Sequence, residues 1–282
     1  MMSQVNVGAL IANLPISNEL GEGIQWNADL QEIWWTDITG QAIYSYKPQS
    51  GQTTKFDMPE RVGCFAFIHN DERLLVAFAS GIAFYHLQTK VIDWLYRLGA
   101  DDIGTRFNDG RVDRFGQFWA GTMVENEGDG SKRAALFRLD TYQQCDKVLG
   151  NIQVSNGLCF SLDGKTIYHA DSPDTEILSY QWQEKTRQLM SSCHIATTAQ
   201  GSFPDGSCID SEGYLWNAQW GGQRVVRYTP DGSVDLVHEV PTAQPSCVAI
   251  GGPDMDWLMV TSAKQGLNGA QLEQDQQAGN VF

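Results

Sequence analysis

The chain has 282 residues with a formal net charge of −15, and 19% of its residues are charged. That acidity excludes the basic footprint of a nucleic-acid binder, and no apolar run reaches the roughly 18 residues needed to span a bilayer. Twenty-eight glycines and nine tryptophans describe a turn-rich, aromatic-rich globular chain suited to β structure.

From the N-terminus, Met1–Pro15 lacks the basic start and long apolar core of a signal peptide. Beyond it, one phrase recurs: a turn rich in Asp, Gly or Asn, followed by a short aromatic or aliphatic strand. Its copies begin at Ile33 (IWWT), Leu74 (LLVA), Phe118 (FWAG), Ile167 (IYHA), Leu215 (LWNA) and Leu258 (LMVT), spaced 41 to 49 residues apart. A second phrase follows most copies, at Ile43, Ile82, Ala135, Ile177 and Val225, and a sixth copy would begin at Asn280–Phe282. A period in the forties with several short strands per repeat predicts an all-β, six-bladed β-propeller. It forms one domain over residues 1–282, with the completeness of the last blade at the C-terminus left open. Closing the ring calls for both termini in one blade, so Val5–Leu14 is expected to add an outer strand to the last. The polar tract Gln271–Gly279 reads as a loop.

The stretch Arg106–Met123 (RFNDGRVDRFGQFWAGTM) predicts a hairpin with polar residues at its tip. Counting back ten to twelve residues from each strand phrase gives Glu22, Cys64, Asn108, Asn156, Asp205 and Ser246. Equivalent positions on the innermost strands of a propeller converge on its channel. Glu22, Asn108, Asn156 and Asp205 are therefore expected to face one another and to offer a hard cation an all-oxygen site. The competing reading makes each a turn former before glycine, as in Asn156–Gly157 and Asp205–Gly206. Position by position that reading is the stronger; the repeat reverses it.

Six scattered cysteines without a CxxC pair read as reduced, mostly buried thiols rather than a zinc cluster. Ser155 and Ser246 have no histidine nearby in the repeat and no nucleophile elbow. His69, His86, His194 and His238 fall in outer-strand or loop contexts, and His169 reads as structural. Most tryptophans read as packing, with Trp220 placed to wall a pocket.

Together with GEGIQWN at Gly21–Asn27, SNGLCFSLDGKTIYHADS at Ser155–Ser172 and FPDGSCIDSEGYLWNAQWGG at Phe203–Gly222, these stretches resemble the regucalcin (senescence marker protein)/gluconolactonase family over most of the chain. The resemblance implies one divalent cation at the channel mouth, calcium foremost, with zinc, magnesium, manganese and iron as alternatives. Its ligands would be Glu22, Asn156 and Asp205. Arg106 and Asn108 would hold substrate hydroxyls. Asn126 stands where the family commonly has an acidic residue, and the surrounding loop Glu125–Lys132 could serve as a lid. The implied reaction is hydrolysis of a sugar lactone to its aldonic acid. The cation would polarise the carbonyl while Asp205, as general base, takes a proton from the attacking water. The alternatives are a non-catalytic calcium-binding propeller and a metal-dependent esterase or organophosphate hydrolase. A cytoplasmic setting is expected; the oligomeric state is open.

Overall fold

The computed structural model describes residues 7–126, 128 and 130–282. The strand phrases become strands, and each repeat folds as an antiparallel meander. The first blade is β1 (Gly21–Asn27), β2 (Glu32–Asp37), β3 (Ala42–Lys47) and β4 (Gln52–Asp57). The second is β5 (Val62–Phe67), β6 (Arg73–Phe78), β7 (Gly81–His86) and β8 (Ile92–Arg97). The third is β9 (Thr105–Val112), β10 (Phe118–Val124), β11 (Ala134–Leu139) and β12 (Cys145–Ile152). In the fourth, β13 (Ser155–Phe160), β14 (Thr166–Asp171) and β15 (Glu176–Gln183) precede two short outer pieces, β16 (Gln188–Leu189) and β17 (Cys193–Thr197). The fifth is β18 (Phe203–Ile209), β19 (Leu215–Trp220), β20 (Arg224–Tyr228) and β21 (Val234–Glu239).

Six blades were expected, with the completeness of the last left open; the structure departs from that count at the sixth position. Five blades are complete, and the sixth unit is the two-stranded sheet β22 (Pro245–Gly251) and β23 (Trp257–Ser262). The residues Asn280–Phe282 do take the third-strand place: Val260 and Phe282 exchange both backbone hydrogen bonds at 2.9 Å. Val281 bridges Thr261 on one side and Leu14 on the other. Of the segment Val5–Leu14, Val5 and Asn6 lie outside the described residues, and only Leu14 pairs. The tract Gln271–Gly279 is not simply a loop: it overlaps the helix α1 (Gly269–Gln274), capped by Asn268, whose side chain accepts from the Gln271 N–H.

The sequence explains why the sheets stack radially. Second strands such as Phe118–Val124 are buried along their whole length, so both faces must pack against protein. One apolar cluster sits at each junction. Trp34 and Ile43 meet Val62 and Val76 between the first two blades, and Trp119 and Leu136 meet Leu158 and Ile167 between the third and fourth. Ile24 and Trp35 meet Cys247 and Met259 where the ring closes. Outer strands have a wet face, and Gln52–Asp57 alternates accordingly. The innermost strands β1, β5, β9, β13, β18 and β22 pack side by side in that order, with β22 returning to β1. They line one central channel.

A cavity of about 1270 Å³ lies beside the short sixth sheet, lined by Val7, Trp216, Val240, Trp257, Leu258 and Phe282 among others. No helix of the described residues is long and apolar enough to cross a membrane.

Candidate metal and substrate site at the channel mouth

Every innermost strand carries an irregularity at its mouth end. Pairing slips by one residue between Glu22 and Gln25, Val62 and Cys64, Asn156 and Cys159, Pro204 and Ser207, and Pro245 and Cys247. In β9 the slip falls opposite Ala120–Thr122, between Phe107 and Gly110. A one-residue β-bulge bends the strand and re-aims its side chains. Glu22, Asn156 and Asp205 lie in these bulges, as do Asn108 and Asp109. The dipeptides ahead of glycine are therefore bulges within strands rather than turns. Gly23 (φ +58) and Gly157 (φ +67) take the left-handed backbone that this geometry requires. In the second blade the equivalent residue is Gly63, not Cys64, because the bulge shifts the count by one.

The bulges place five of the expected residues in two bonded groups. Asn108 Nδ2 donates to Asn156 Oδ1 at 2.9 Å and to the Ser155 carbonyl at 3.1 Å. Arg106 Nη1 donates to Asn108 Oδ1 and to the Phe107 carbonyl, both at 2.9 Å. Asn156 Nδ2 donates to Ser172 Oγ at 2.9 Å, so both ends of its amide are held, Oδ1 by Asn108. Glu22 and Asp205 share a side-chain hydrogen bond across the mouth. Asp205 Oδ1 and Asp109 Oδ1 are buried without a partner. Burial raises the pKa of Glu22, and the nearby Asp109 charge adds to it. Asp205 is driven well above the ordinary carboxylate range by burial, then by Glu22 and Asp109.

Among the described residues no three His, Cys, Asp or Glu side chains form a metal cage. The donor set is instead two carboxylates, Glu22 and Asp205, with the amide oxygen of Asn156. It fits a hard divalent cation in being all oxygen, with two carboxyl groups side by side and the orphaned Asp205 Oδ1 among them.

Asn126 is not joined to this cluster; it is exposed on the loop after β10. Of the loop Glu125–Lys132, residues 127 and 129 lie outside the described residues. Its ends are tied down, Glu125 by Arg61 and Lys132 by Asp174 at 2.6 Å and Asp171 at 3.0 Å. Trp220 packs beside Leu20, Ile38 and Ala263.

One expectation about serine needs correction. Ser155 does have a histidine: its Oγ lies 2.8 Å from His169 Nε2, brought there by the β13–β14 pairing. Both groups are buried, and a Cβ on Gly121 would overlap the Ser155 hydroxyl. The pair therefore lies buried at the junction of blades three and four. Ser246 ties the ring, donating to the Gly21 carbonyl with Thr261 Oγ1 also within hydrogen-bond distance.

The sequence reading had Asp109 only among the polar residues at the tip of the Arg106–Met123 hairpin, and it missed Arg111 and Asn217. Asp109 Oδ2 accepts from the Leu158 N–H at 2.9 Å. Arg111 reaches across the channel to the Ile24 carbonyl and Cys247 Sγ. Asn217 Nδ2 donates to the Asp205 carbonyl at 2.7 Å. The Asp109–Gly110 dipeptide was a usable signal; nothing local marks the other two.

The fold and mouth thus define a β-propeller with an oxygen-lined polar site at one end of its channel. Comparison with known proteins gives the family. Residues 20–264 match the SMP-30/Gluconolactonase/LRE-like region, and the chain belongs to that family. It is 37% identical to L-arabinolactonase of Azospirillum brasilense, over 94% of this chain and 88% of that one. It is 34% identical to 6-deoxy-6-sulfogluconolactonase of Pseudomonas putida, over 93% and 90%. The crystal structure of a calcium-binding protein, regucalcin, from Agrobacterium tumefaciens superposes with a TM-score of 0.89 at 29% identity, covering 96% of this chain and 92% of that one.

Proposed function

We propose that this protein hydrolyses a sugar lactone to its aldonic acid with the help of one divalent cation, calcium first, held by Glu22, Asn156 and Asp205. The observation that carries this reading is the buried Glu22–Asp205 pair, with Asn156 at the equivalent position of a neighbouring inner strand, in a chain similar to sugar lactonases. When bound, the cation would supply Lewis acidity toward the lactone carbonyl and its developing negative charge.

The remaining chemistry belongs to the protein. Asp205 Oδ1 has no internal donor to compete for it, so it is placed to take the proton of an attacking water. Asn108 acts first as a brace: its amide hydrogens hold Asn156 and the Ser155 carbonyl. Its Oδ1 keeps a lone pair for a sugar hydroxyl beside that of Arg106. Arg106 orients the ring and pairs with the carboxylate that ring opening creates. Asn126 reaches the distal hydroxyls from its loop. The sixth sheet, with Asn280–Phe282 and Leu14, counts as a sixth blade, and 1–282 is one domain. Six free cysteines suit a reducing, cytoplasmic setting.

The test is acid release from several aldonolactones by chelator-stripped protein, with calcium, magnesium, manganese and zinc restored one at a time. Turnover should return with metal, and Asp205→Ala should lower kcat by about a hundredfold or more, the scale on which a general base contributes. A folded, cation-binding protein without turnover on any lactone would favour the non-catalytic calcium-binding reading. Turnover on simple esters or organophosphates alone would favour the third.

A further inference from the structure

Inward of the mouth, the channel strands change chemistry. Cys64, Cys159, Cys208 and Cys247 stand on β5, β13, β18 and β22, and Arg111 of β9 crosses among them. Its Nη1 donates to the Ile24 carbonyl at 3.3 Å, on the first blade, and its Nη2 to Cys247 Sγ at 2.9 Å, on the sixth. Burial pushes the Cys208 and Cys247 thiols up to about 12, so they are neutral and do not balance the guanidinium. The charges that feel it are Asp109, two residues away on the same strand, and Glu22. Asp109 in turn acts on both Glu22 and Asp205. The other guanidinium of this strand, Arg106, is turned to the Phe107 carbonyl and Asn108 Oδ1 at the rim.

Three carboxylates thus stand over one fixed cation. We propose that Arg111 is a specificity-determining counter-charge: by offsetting one of the charges of Glu22, Asp109 and Asp205, it biases the mouth toward divalent over trivalent ions of similar size. This rests on the cation site put forward under Proposed function. The physical reason is Coulomb's law. A charge several ångströms away, in a site of intermediate dielectric, acts half again as strongly on a trivalent ion as on a divalent one. Asp109 Oδ2 accepts from the Leu158 N–H, while its buried Oδ1 has no protein partner and is left to face the mouth's other charges.

The experiment is calorimetric titration of chelator-stripped protein with calcium and, separately, terbium, which are close in radius and differ in charge. Wild type, Arg111→Gln, Arg111→Lys, Asp109→Asn and Asp205→Asn are compared as the ratio of the two affinities. Arg111→Gln should raise the terbium-to-calcium ratio roughly tenfold, Arg111→Lys should keep the wild-type ratio, and Asp109→Asn should lower it. A folded Arg111→Gln protein with an unchanged ratio overturns the proposal, as does a Lys variant that shifts as far as the Gln variant. If Arg111→Gln does not fold, Asp109→Asn decides: an unchanged or raised ratio overturns the proposal. Failure of the cation site itself looks different. The wild type would then bind neither ion, or bind both with no loss in Asp205→Asn.

Discussion

Asn217 is fully buried on β19, and its single amide group holds the bulge that presents Asp205. Nδ2 donates to the Asp205 carbonyl at 2.7 Å and contacts Ser207 Oγ at 3.0 Å, while Oδ1 has no partner. Removing the amide leaves a buried carbonyl with one donor fewer, so Asn217→Ala should lower stability by about 1–3 kcal/mol. If Asn217 also positions Asp205, calcium affinity measured by calorimetry should fall with it. His169 gives a pH prediction. Burial lowers its pKa to about 4, against a partial opposing pull from Asp171. An unfolded histidine takes up its proton near pH 6.5, so the unfolded state binds more protons between the two values. Stability is then complete above pH 6.5 and lost as pH falls toward 4, by about 3 kcal/mol in all. Urea titrations across that range should show the slope in wild type and a flatter profile in His169→Gln. At this scale the equivalent inner-strand positions of Glu22, Asn156 and Asp205 were legible in the sequence, because each stands beside glycine at the same place in its repeat. Arg111, Asn217 and the Ser155–His169 contact were not. Their partners lie 10 to 136 residues away, and only the strand register joins them.

At the scale of strands, the bulges and the glycines between neighbouring inner strands set the shape of the mouth. A Cβ on Gly63 would fall onto the Asn108 carbonyl oxygen and its backbone nitrogen. Gly63→Ala must therefore push β9 away from β5. The cost should be about 1–3 kcal/mol of overpacking, seen as a lower unfolding midpoint. KM for the best lactone should rise as well, since Arg106 and Asn108 move with that strand. Second and third strands were readable from their apolar runs, which end up buried between sheets. Outer strands were not, because a strand such as Val234–Glu239 has one wet face and reads as a polar loop. The same bulge that aims the site residues also offset the count in the second blade, where Cys64 was expected and Gly63 stands.

For the whole molecule, the joint between the last and first sheets carries the closure. Asn18 is its clasp: its backbone N–H donates to the Gly279 carbonyl at 2.8 Å, its Nδ2 to the same oxygen at 2.7 Å, and its Oδ1 accepts from Trp35 Nε1 at 3.1 Å. Asn18→Ala removes two buried side-chain bonds. It should lower stability by about 2–4 kcal/mol, read in thermal melts, while the circular dichroism of the folded protein stays unchanged. The repeat length announced a ring. It did not announce how the ring is fastened, since one half of the clasp lies outside any repeat.

The mouth residues come from β1, β9, β13 and β18, so no single blade owns the site. A ligand gripping all four contributes its binding free energy to folding by mass action, about 2.7 kcal/mol at a hundred times its dissociation constant. Occupancy and mechanical integrity then become one thermodynamic variable. Any slippage of a sheet would discharge the ligand before secondary structure is lost, and the hollow centre of the molecule would serve as a gauge of whether its circumference is intact.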